Sequence, residues 1–404
     1  MGTSDNGLSN NEKANLLLEK HTFKELLADV EQRNLQNNIV GLEASRLFAR
    51  SEINMGVDAF RDSLYAMLKR NTFLNIKFEN MLDTLGEMSR TDLYSYLKEW
   101  EQLTPLPFYS IGEPELTKVV NKGGEEFFVL KVLVSNNSDY DGIIQMNVFQ
   151  NGWWYQPMED PRARKKVEIA AHTSKEFVSV WEEQIRDVEI NTMVSGNLPY
   201  MIRQSIGNVK QERNKIVKDT IYTLPESSLE MPGEVIVDNE DSTLFVLSTP
   251  AVVGLLPKWL DKVEDTSFKY SGISWWRAPL QWTATTNAKY YGKYISSAYV
   301  IKSGDGSQTA TWKIPVPEAG QYELYYHVFK DDELRWNDRL QGEYHFRVAY
   351  DSEMEDAYIN LRKANEGWEQ LGTYYFSADT VRVVLTDECK LRSVTADAVK
   401  IVKR

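Results

Sequence analysis

The stretch Gly320-Gln321-Tyr322-Glu323-Leu324-Tyr325-Tyr326-His327-Val328 decides how the C-terminal half of the chain is read. Tyr322, Leu324, Tyr326 and Val328 alternate with Gln321, Glu323, Tyr325 and His327. A period of two sends one set to a core and the other to solvent, so the stretch reads as a half-buried strand. Tyr344, Phe346, Val348 and Tyr350 alternate in the same way. Val381, Val383 and Leu385, and then the run from Ala396 to Val402, add two more strands, and Pro317-Glu318-Ala319-Gly320 supplies a turn. Residues 234–404 therefore read as an antiparallel β-sandwich.

Working towards the N-terminus, residues 106–223 carry the same kind of signal. Phe127 to Val134 is an apolar, β-branched run, Ile144, Met146 and Val148 alternate with Gln145 and Asn147, and Val188 with Ile190 predicts another strand. Asn151-Gly152 before Trp153-Trp154-Tyr155 is a hairpin signal, because both central residues of a type I′ turn need positive φ. Residues 203–220 are rich in Gln, Asn, Lys and Arg and read as an exposed helix or linker. In residues 9–105 the period changes to that of a helix. Five apolar stripes begin at Phe23, Val40, Phe60, Phe78 and Leu93, and Ser89 with Asp92 predicts a capping box for the last helix. Pro105-Leu106-Pro107 stops helix formation. The expected architecture is a multidomain α+β chain: a helical bundle over 9–105, a β-sandwich over 106–223 and a second antiparallel β-sandwich over 234–404.

The composition fits several packed cores, with 404 residues, 42% of them hydrophobic, 26% charged, and only 13 Pro and 22 Gly. Subtracting 59 acidic from 46 basic side chains gives −13, a balance that repels phosphate backbones and argues against a nucleic-acid partner. The single cysteine, Cys389, offers no intramolecular disulfide. No run approaches the 18 or so apolar residues of a membrane span, and Met1 to Asn15 lacks the apolar centre of a secretory signal. As written the chain is expected to be soluble. Its opening, Met1-Gly2-Thr3-Ser4-Asp5-Asn6-Gly7, reads equally as the start of an excised segment whose targeting or membrane parts lie elsewhere.

The four histidines, His21, His172, His327 and His345, include no His-Glu-x-x-His and no i, i+4 pair on a helix, so a zinc hydrolase site is not expected within this chain. His327 and His345 read as surface residues of neighbouring strands. Gly-x-Ser-x-Gly and a phosphate-cradling glycine loop are missing as well. Asp238, Glu240 and Asp241 offer hard oxygen atoms that suit calcium, although the spacing also suits a solvated turn after a strand. Arg162, Arg164, Lys165 and Lys166 read as solvated charge. Aromatic side chains carry the clearest signal: seven of eleven tryptophans and thirteen of twenty-one tyrosines lie beyond residue 233. Such side chains either fill a core with their polar atom satisfied or present a flat face to a sugar ring. Trp275 with Trp276, and Tyr290 with Tyr291, are neighbours that point to opposite faces in a strand. With Trp282 and with Trp336, which stands beside Asn337-Asp338-Arg339, they are the candidate carbohydrate-binding residues.

Residues 234–404 resemble the golvesin and xanthan-lyase C-terminal domain. The likeness rests on Val235-Ile236-Val237-Asp238-Asn239-Glu240-Asp241, on Ala310 to Pro317 with Gly320-Gln321-Tyr322, on Trp368 to Phe376 and on Ala396-Asp397-Ala398-Val399. It implies a carbohydrate-binding-like β-sandwich, with Ala396-Asp397-Ala398-Val399 serving the fold. The first part resembles the tail of gluzincin zinc aminopeptidases, especially bacterial proteins in which an ABC-type permease is fused to such a peptidase. Gly56-Val57-Asp58-Ala59-Phe60, Asn71-Thr72-Phe73, Asp92-Leu93 and Glu99-Trp100 carry it, followed by Leu106-Pro107-Phe108, Asn136-Asn137-Ser138-Asp139 and Asn197-Leu198-Pro199. This likeness implies a zinc motif upstream of residue 1. The family's Tyr-x-Lys-Gly falls on Asn38-Ile39-Val40-Gly41, which lacks both the oxyanion-stabilising tyrosine and the lysine, so the parent is expected to be peptidase-like rather than active.

Three readings follow. In the first, the chain is a non-catalytic, extracytoplasmic region of a larger bacterial membrane protein, on the periplasmic or extracellular side, with a C-terminal sandwich that binds polysaccharide or docks on a partner. In the second, it is the tail of a working zinc aminopeptidase. In the third, the sandwich only packs between domains. The partners implied are a polysaccharide or cell-surface glycan and the upstream peptidase and membrane domains, with calcium as the one cofactor to test.

Overall fold

The computed structural model describes every residue except 1–6, 104, 151–159, 214–216, 228, 230–232, 249–267, 274–276 and 331–341. The chain forms two compact units, Ser9–Leu229 and Glu230–Arg404, the latter joined by Met1–Leu8. Both are mostly antiparallel β-structure, and the first also carries the helices.

The helices are α1 (Asn10–Leu18), α2 (Phe23–Ala28), α3 (Gln36–Met55), α4 (Val57–Arg70), α5 (Phe78–Ser89) and α6 (Leu93–Glu99). The five expected stripes each produce one, and α1 is additional. Helices α1 and α2 both begin in capping boxes, Ser9 with Glu12 and Thr22 with Glu25, where side chains and backbone amides at each end satisfy one another. The expected Ser89–Asp92 box does not form. Ser89 is the buried last residue of α5, its hydroxyl 3.1 Å from that of Ser51, and Asp92 alone accepts from the Ser95 amide at 3.0 Å. Gly56 breaks the line between α3 and α4 with φ of 85°, a value that costs a side chain energy and glycine little. Leu47, Phe60, Met67, Leu82, Leu85 and Leu93 close the helical core. The stripe of α3 runs through Ile39, Leu42 and Leu47, leaving Val40 exposed.

The strands of this unit are β1 (Tyr109–Ile111), β2 (Glu115–Val120), β3 (Glu126–Asn136), β4 (Gly142–Gln150), β5 (Arg164–Ile169), β6 (Thr173–Trp181), β7 (Ile185–Asn191), β8 (Met201–Ser205), β9 (Val209–Arg213) and β10 (Thr220–Pro225). One sheet runs β10-β6-β3-β2-β9, with β1 also on β3, and the other runs β5-β4-β7-β8. Among the described strands of this unit only the β2–β9 pair is parallel. Tyr109, Leu130, Val132, Ile144, Met146, Phe177 and Trp181 fill the space between the sheets. Residues 203–220 are not a helix or a plain linker, because they hold β9 and parts of β8 and β10. Each of those strands ends its sheet, and an edge strand needs little apolar content. The Asn151-Gly152 hairpin lies outside the described residues. Among the basic cluster, Arg162 pairs with Asp160 and Asp219, and Lys166 with Glu52 of α3. Ala49 of α3 packs with Ile143 and Met193, which joins helices and sandwich in one unit.

The second unit contains β11 (Glu234–Val237), β12 (Phe245–Leu247), β13 (Thr283–Thr286), β14 (Ser297–Lys302), β15 (Thr309–Pro315), β16 (Gly320–Val328), β17 (Glu343–Tyr350), β18 (Glu353–Asn360), β19 (Gly367–Phe376), β20 (Thr380–Thr386), β21 (Ser393–Ala396) and β22 (Val399–Lys403). A four-stranded sheet, β11-β22-β16-β19, faces a five-stranded one, β12-β15-β20-β17-β18, across a core that includes Trp312, Tyr322, Tyr326, Phe346, Val383 and Ile401. A third sheet runs β13-β14-β21. The expected single strand from Ala396 to Val402 is two. The chain leaves β21 and enters β22 of a different sheet, turning at the fully buried Asp397 and Ala398. His327 and His345 are not neighbours, since β16 and β17 belong to different sheets. Among the described residues no helix is long and apolar enough to cross a membrane.

Candidate functional site

The turn at Asp397 is held by the polar atoms of core aromatics. The Trp312 indole N–H donates to the Asp397 carbonyl at 3.2 Å, the Tyr326 hydroxyl donates to the Thr395 carbonyl, and the Tyr344 hydroxyl accepts from the Thr395 amide at 3.0 Å. Three side chains from three strands thus fix where the Asp397 carboxylate points. One of its oxygens lies 2.9 Å from His327 Nδ1, and both are within 3.2 Å of the Tyr291 amide. Burial pushes the Asp397 carboxyl above its ordinary range, while the imidazole beside it acts in the opposite sense.

Around this carboxylate the outer face of the four-stranded sheet gathers rings. Tyr291, from the loop between β13 and β14, packs 5.1 Å from the Trp368 ring and 5.8 Å from His327, and Trp368 meets His327 edge-on at 5.1 Å. All three side chains are half-buried. Lys400 of β22 places its ammonium 4.8 Å over Trp368 and 5.4 Å over Tyr325, and donates to Glu234 at 2.9 Å. The alternation of β16 puts Tyr325 and His327 on this face, and cross-strand pairing brings Lys400 opposite Tyr325 and Trp368 opposite His327. The result is an aromatic surface with one carboxylate-held imidazole and one paired cation, a group equipped for binding a polar ligand with flat apolar faces.

Of the candidate carbohydrate-binding residues, Tyr291 stands in this group. Its neighbour Tyr290 is 4% exposed and packs 4.7 Å from Phe329, so the pair does divide between interior and surface, although in a loop rather than a strand. Trp282 is half-buried against the sandwich core, its buried indole N–H without a partner among the described residues. Trp275, Trp276 and Trp336 lie outside the described residues. Sequence reading missed His327, Trp368, Asp397 and Lys400 as a group. All four sit in stretches singled out for other reasons, but only strand register shows that they meet.

Asp238, Glu240 and Asp241 form a tight turn after β11. Glu240 accepts from Lys269, Tyr270 and Ser297, and Asp241 accepts from the Asp238 amide at 2.9 Å. Asp238 is held well above the ordinary carboxylate range by burial and by the neighbouring Asp397. Among the described residues no group of three or more acidic, histidine or cysteine side chains is arranged to hold a metal ion.

Residues 276–403 match the family model of the golvesin C-terminal domain. This agrees with the resemblance read from the sequence. Among solved structures the chain is similar to a Paenibacillus xanthan lyase, with 17% identity and a TM-score of 0.30 over 74% of this chain and 27% of that one. It is also similar to a CBM35 from Cellvibrio japonicus Abf62, with 13% identity and a TM-score of 0.20 over 28% of this chain and 75% of that one. The chain spans about a quarter of the xanthan lyase. No curated protein matches the chain.

Proposed function

We propose that the C-terminal sandwich is a carbohydrate-binding module and that the chain is a non-catalytic, extracytoplasmic region of a larger bacterial membrane protein. The observation that carries the first part is the half-buried trio Tyr291, His327 and Trp368, oriented by the buried Asp397. Ring faces cover the apolar side of a pyranose at small entropic cost, because the rings are already fixed by one another. The imidazole and the Lys400 ammonium supply hydrogen bonds to hydroxyl groups. The golvesin match over 276–403 supports the same reading. The membrane context and the upstream peptidase-like part rest on the sequence resemblance of residues 9–223 alone.

The test is a titration of the full chain with soluble neutral and acidic polysaccharides, with and without calcium, followed by tryptophan fluorescence. With the neutral polysaccharides a saturable change is expected, weakened at least tenfold, about 1.4 kcal/mol, by Trp368→Ala and by Tyr291→Ala. Folded protein that responds to no neutral polysaccharide, or neutral-polysaccharide binding that survives both substitutions, overturns the proposal.

A further inference from the structure

The other outer face of the C-terminal sandwich, on the five-stranded sheet, has a different character. Strand register aligns its outward side chains in rows. Lys313, Arg382 and Ala349 lie abreast on β15, β20 and β17, and Arg347 lies two residues along β17, opposite Asp356 of β18. His345 and Tyr358 form the next pair. Arg382 is exposed and Lys313 and Arg347 half-buried, and none of the three makes an ion pair with a described residue. The carboxylate opposite Arg347 in the strand register, Asp356, is engaged by His345 Nε2 at 2.7 Å.

Like charges opposite one another on adjacent strands destabilise a sheet, and here they do so on a chain whose net charge is −13, where acidic side chains are plentiful. Three cations on one face, none in an ion pair with a described residue, complement an external polyanion. Beside them Tyr358 is 57% exposed and lies flat on His345, ring centroids 4.9 Å apart and planes 9° from parallel. The histidine is fixed by Asp356, so the tyrosine ring is held in place before any ligand arrives.

We infer that this face binds a carboxylate-bearing polysaccharide, a polyuronate, with a pyranose ring on Tyr358 and its carboxylates on Arg347, Arg382 and Lys313. Guanidinium groups match carboxylates in a planar, two-pronged geometry. The inference rests on the carbohydrate-binding reading for the class of polymer, and it places the ligand on a face separate from Tyr291 and Trp368. A phosphate polymer is the competing polyanion. Both polyanions meet the repulsion of the acidic chain, and a nucleobase stacks on a tyrosine as a pyranose does; the match of residues 276–403 to the golvesin C-terminal domain favours the polysaccharide.

The experiment uses the full chain, with polygalacturonate as the acidic probe, hydroxyethylcellulose as the neutral one and single-stranded DNA as the phosphate polymer, at low and at 0.5 M salt. Polygalacturonate binding is expected to weaken at least tenfold in the double variant R347Q/R382Q and in Tyr358→Ala, to persist in Tyr358→Phe, to fall with salt and to be unaffected by Trp368→Ala. Substitutions on this outer face leave stability within about 0.5 kcal/mol, and thermal melts verify it. Polygalacturonate that fails to bind, or binds R347Q/R382Q and Tyr358→Ala as tightly as the parent, overturns the inference. So does DNA that binds equally well through the same arginines. If hydroxyethylcellulose binds and Trp368→Ala abolishes it while polygalacturonate never binds, the inference fails and the proposed function stands. Polygalacturonate binding lost only in Trp368→Ala has the same meaning.

Discussion

In the sandwich of the first unit the buried set is mainly Val, Ile and Leu, with Tyr109, Phe177 and Trp181, whereas that of the second unit adds Phe245, Trp312, Tyr322, Tyr326, Tyr344, Phe346 and Phe376. The contrast extends to the polar atoms of those rings. The Trp181 indole donates to Ser179, two residues away, and the buried Tyr109 hydroxyl has no partner among the described residues. In the second unit the handles of Trp312, Tyr326 and Tyr344 reach 85, 69 and 51 residues along the chain to one turn. Aromatics in the first sandwich fill volume. In the second they also fix the segment that presents Asp397, and with it the ring cluster.

That contrast can be broken in several ways. The largest expected effect is that of Trp312→Ala, which removes a fully buried indole and the donor to Asp397, for a loss of about 3–5 kcal/mol in chemical denaturation of the full chain. A loss below about 1 kcal/mol would show that the core around it is not packed as described. Smaller and more discriminating is the pair Tyr326→Phe and Tyr109→Phe. The first leaves the buried Thr395 carbonyl without its donor, for a loss of about 1–3 kcal/mol. The second removes a buried hydroxyl that has no described partner, and stability is expected to hold or rise. Equal losses from the two would erase the distinction between filling and fastening.

The smallest effect concerns the first unit's surface. His172 lies between Asp139 and Glu226, each 2.8 Å from one ring nitrogen, and these hydrogen bonds raise its titration above the ordinary 6.5. A folded value raised above the unfolded one means that the contribution is complete below about pH 6.5 and is lost as pH rises through the folded value. The melting temperature of the parent is therefore expected to exceed that of His172→Ala at pH 5.5, with the gap narrowing towards pH 8.5. A gap that widens with pH would place the neutral imidazole in the bridge. This fastening at the surface sharpens the comparison with the buried one of the second unit.

Much of the architecture was legible in local pattern. The helical stripes, the change of period after Pro105 and the alternation of β16, β17 and β20 all describe how one segment meets a core. The Ser9–Glu12 and Thr22–Glu25 boxes were equally legible and were overlooked, while Ser89–Asp92 has similar spacing but sits where Ser89 is needed inside the helix. Residues 203–220 misled because edge strands need few apolar residues, here Ile206 and Val209 against the core. The run from Ala396 to Val402 misled because a strand that changes sheets keeps its apolar composition through the turn.

The sequence by itself determined which segments are helix and strand, which face of most strands is buried, and that the second sandwich is built on aromatics. Those properties depend on residues within a few positions of one another. Tertiary structure alone decided that Tyr291, His327, Trp368, Asp397 and Lys400 meet, and that Lys313, Arg347 and Arg382 share a face with Tyr358. Register between strands far apart in the chain is set by how two whole faces close on one core, and a one-residue slip would send the strand residues among them to the other side.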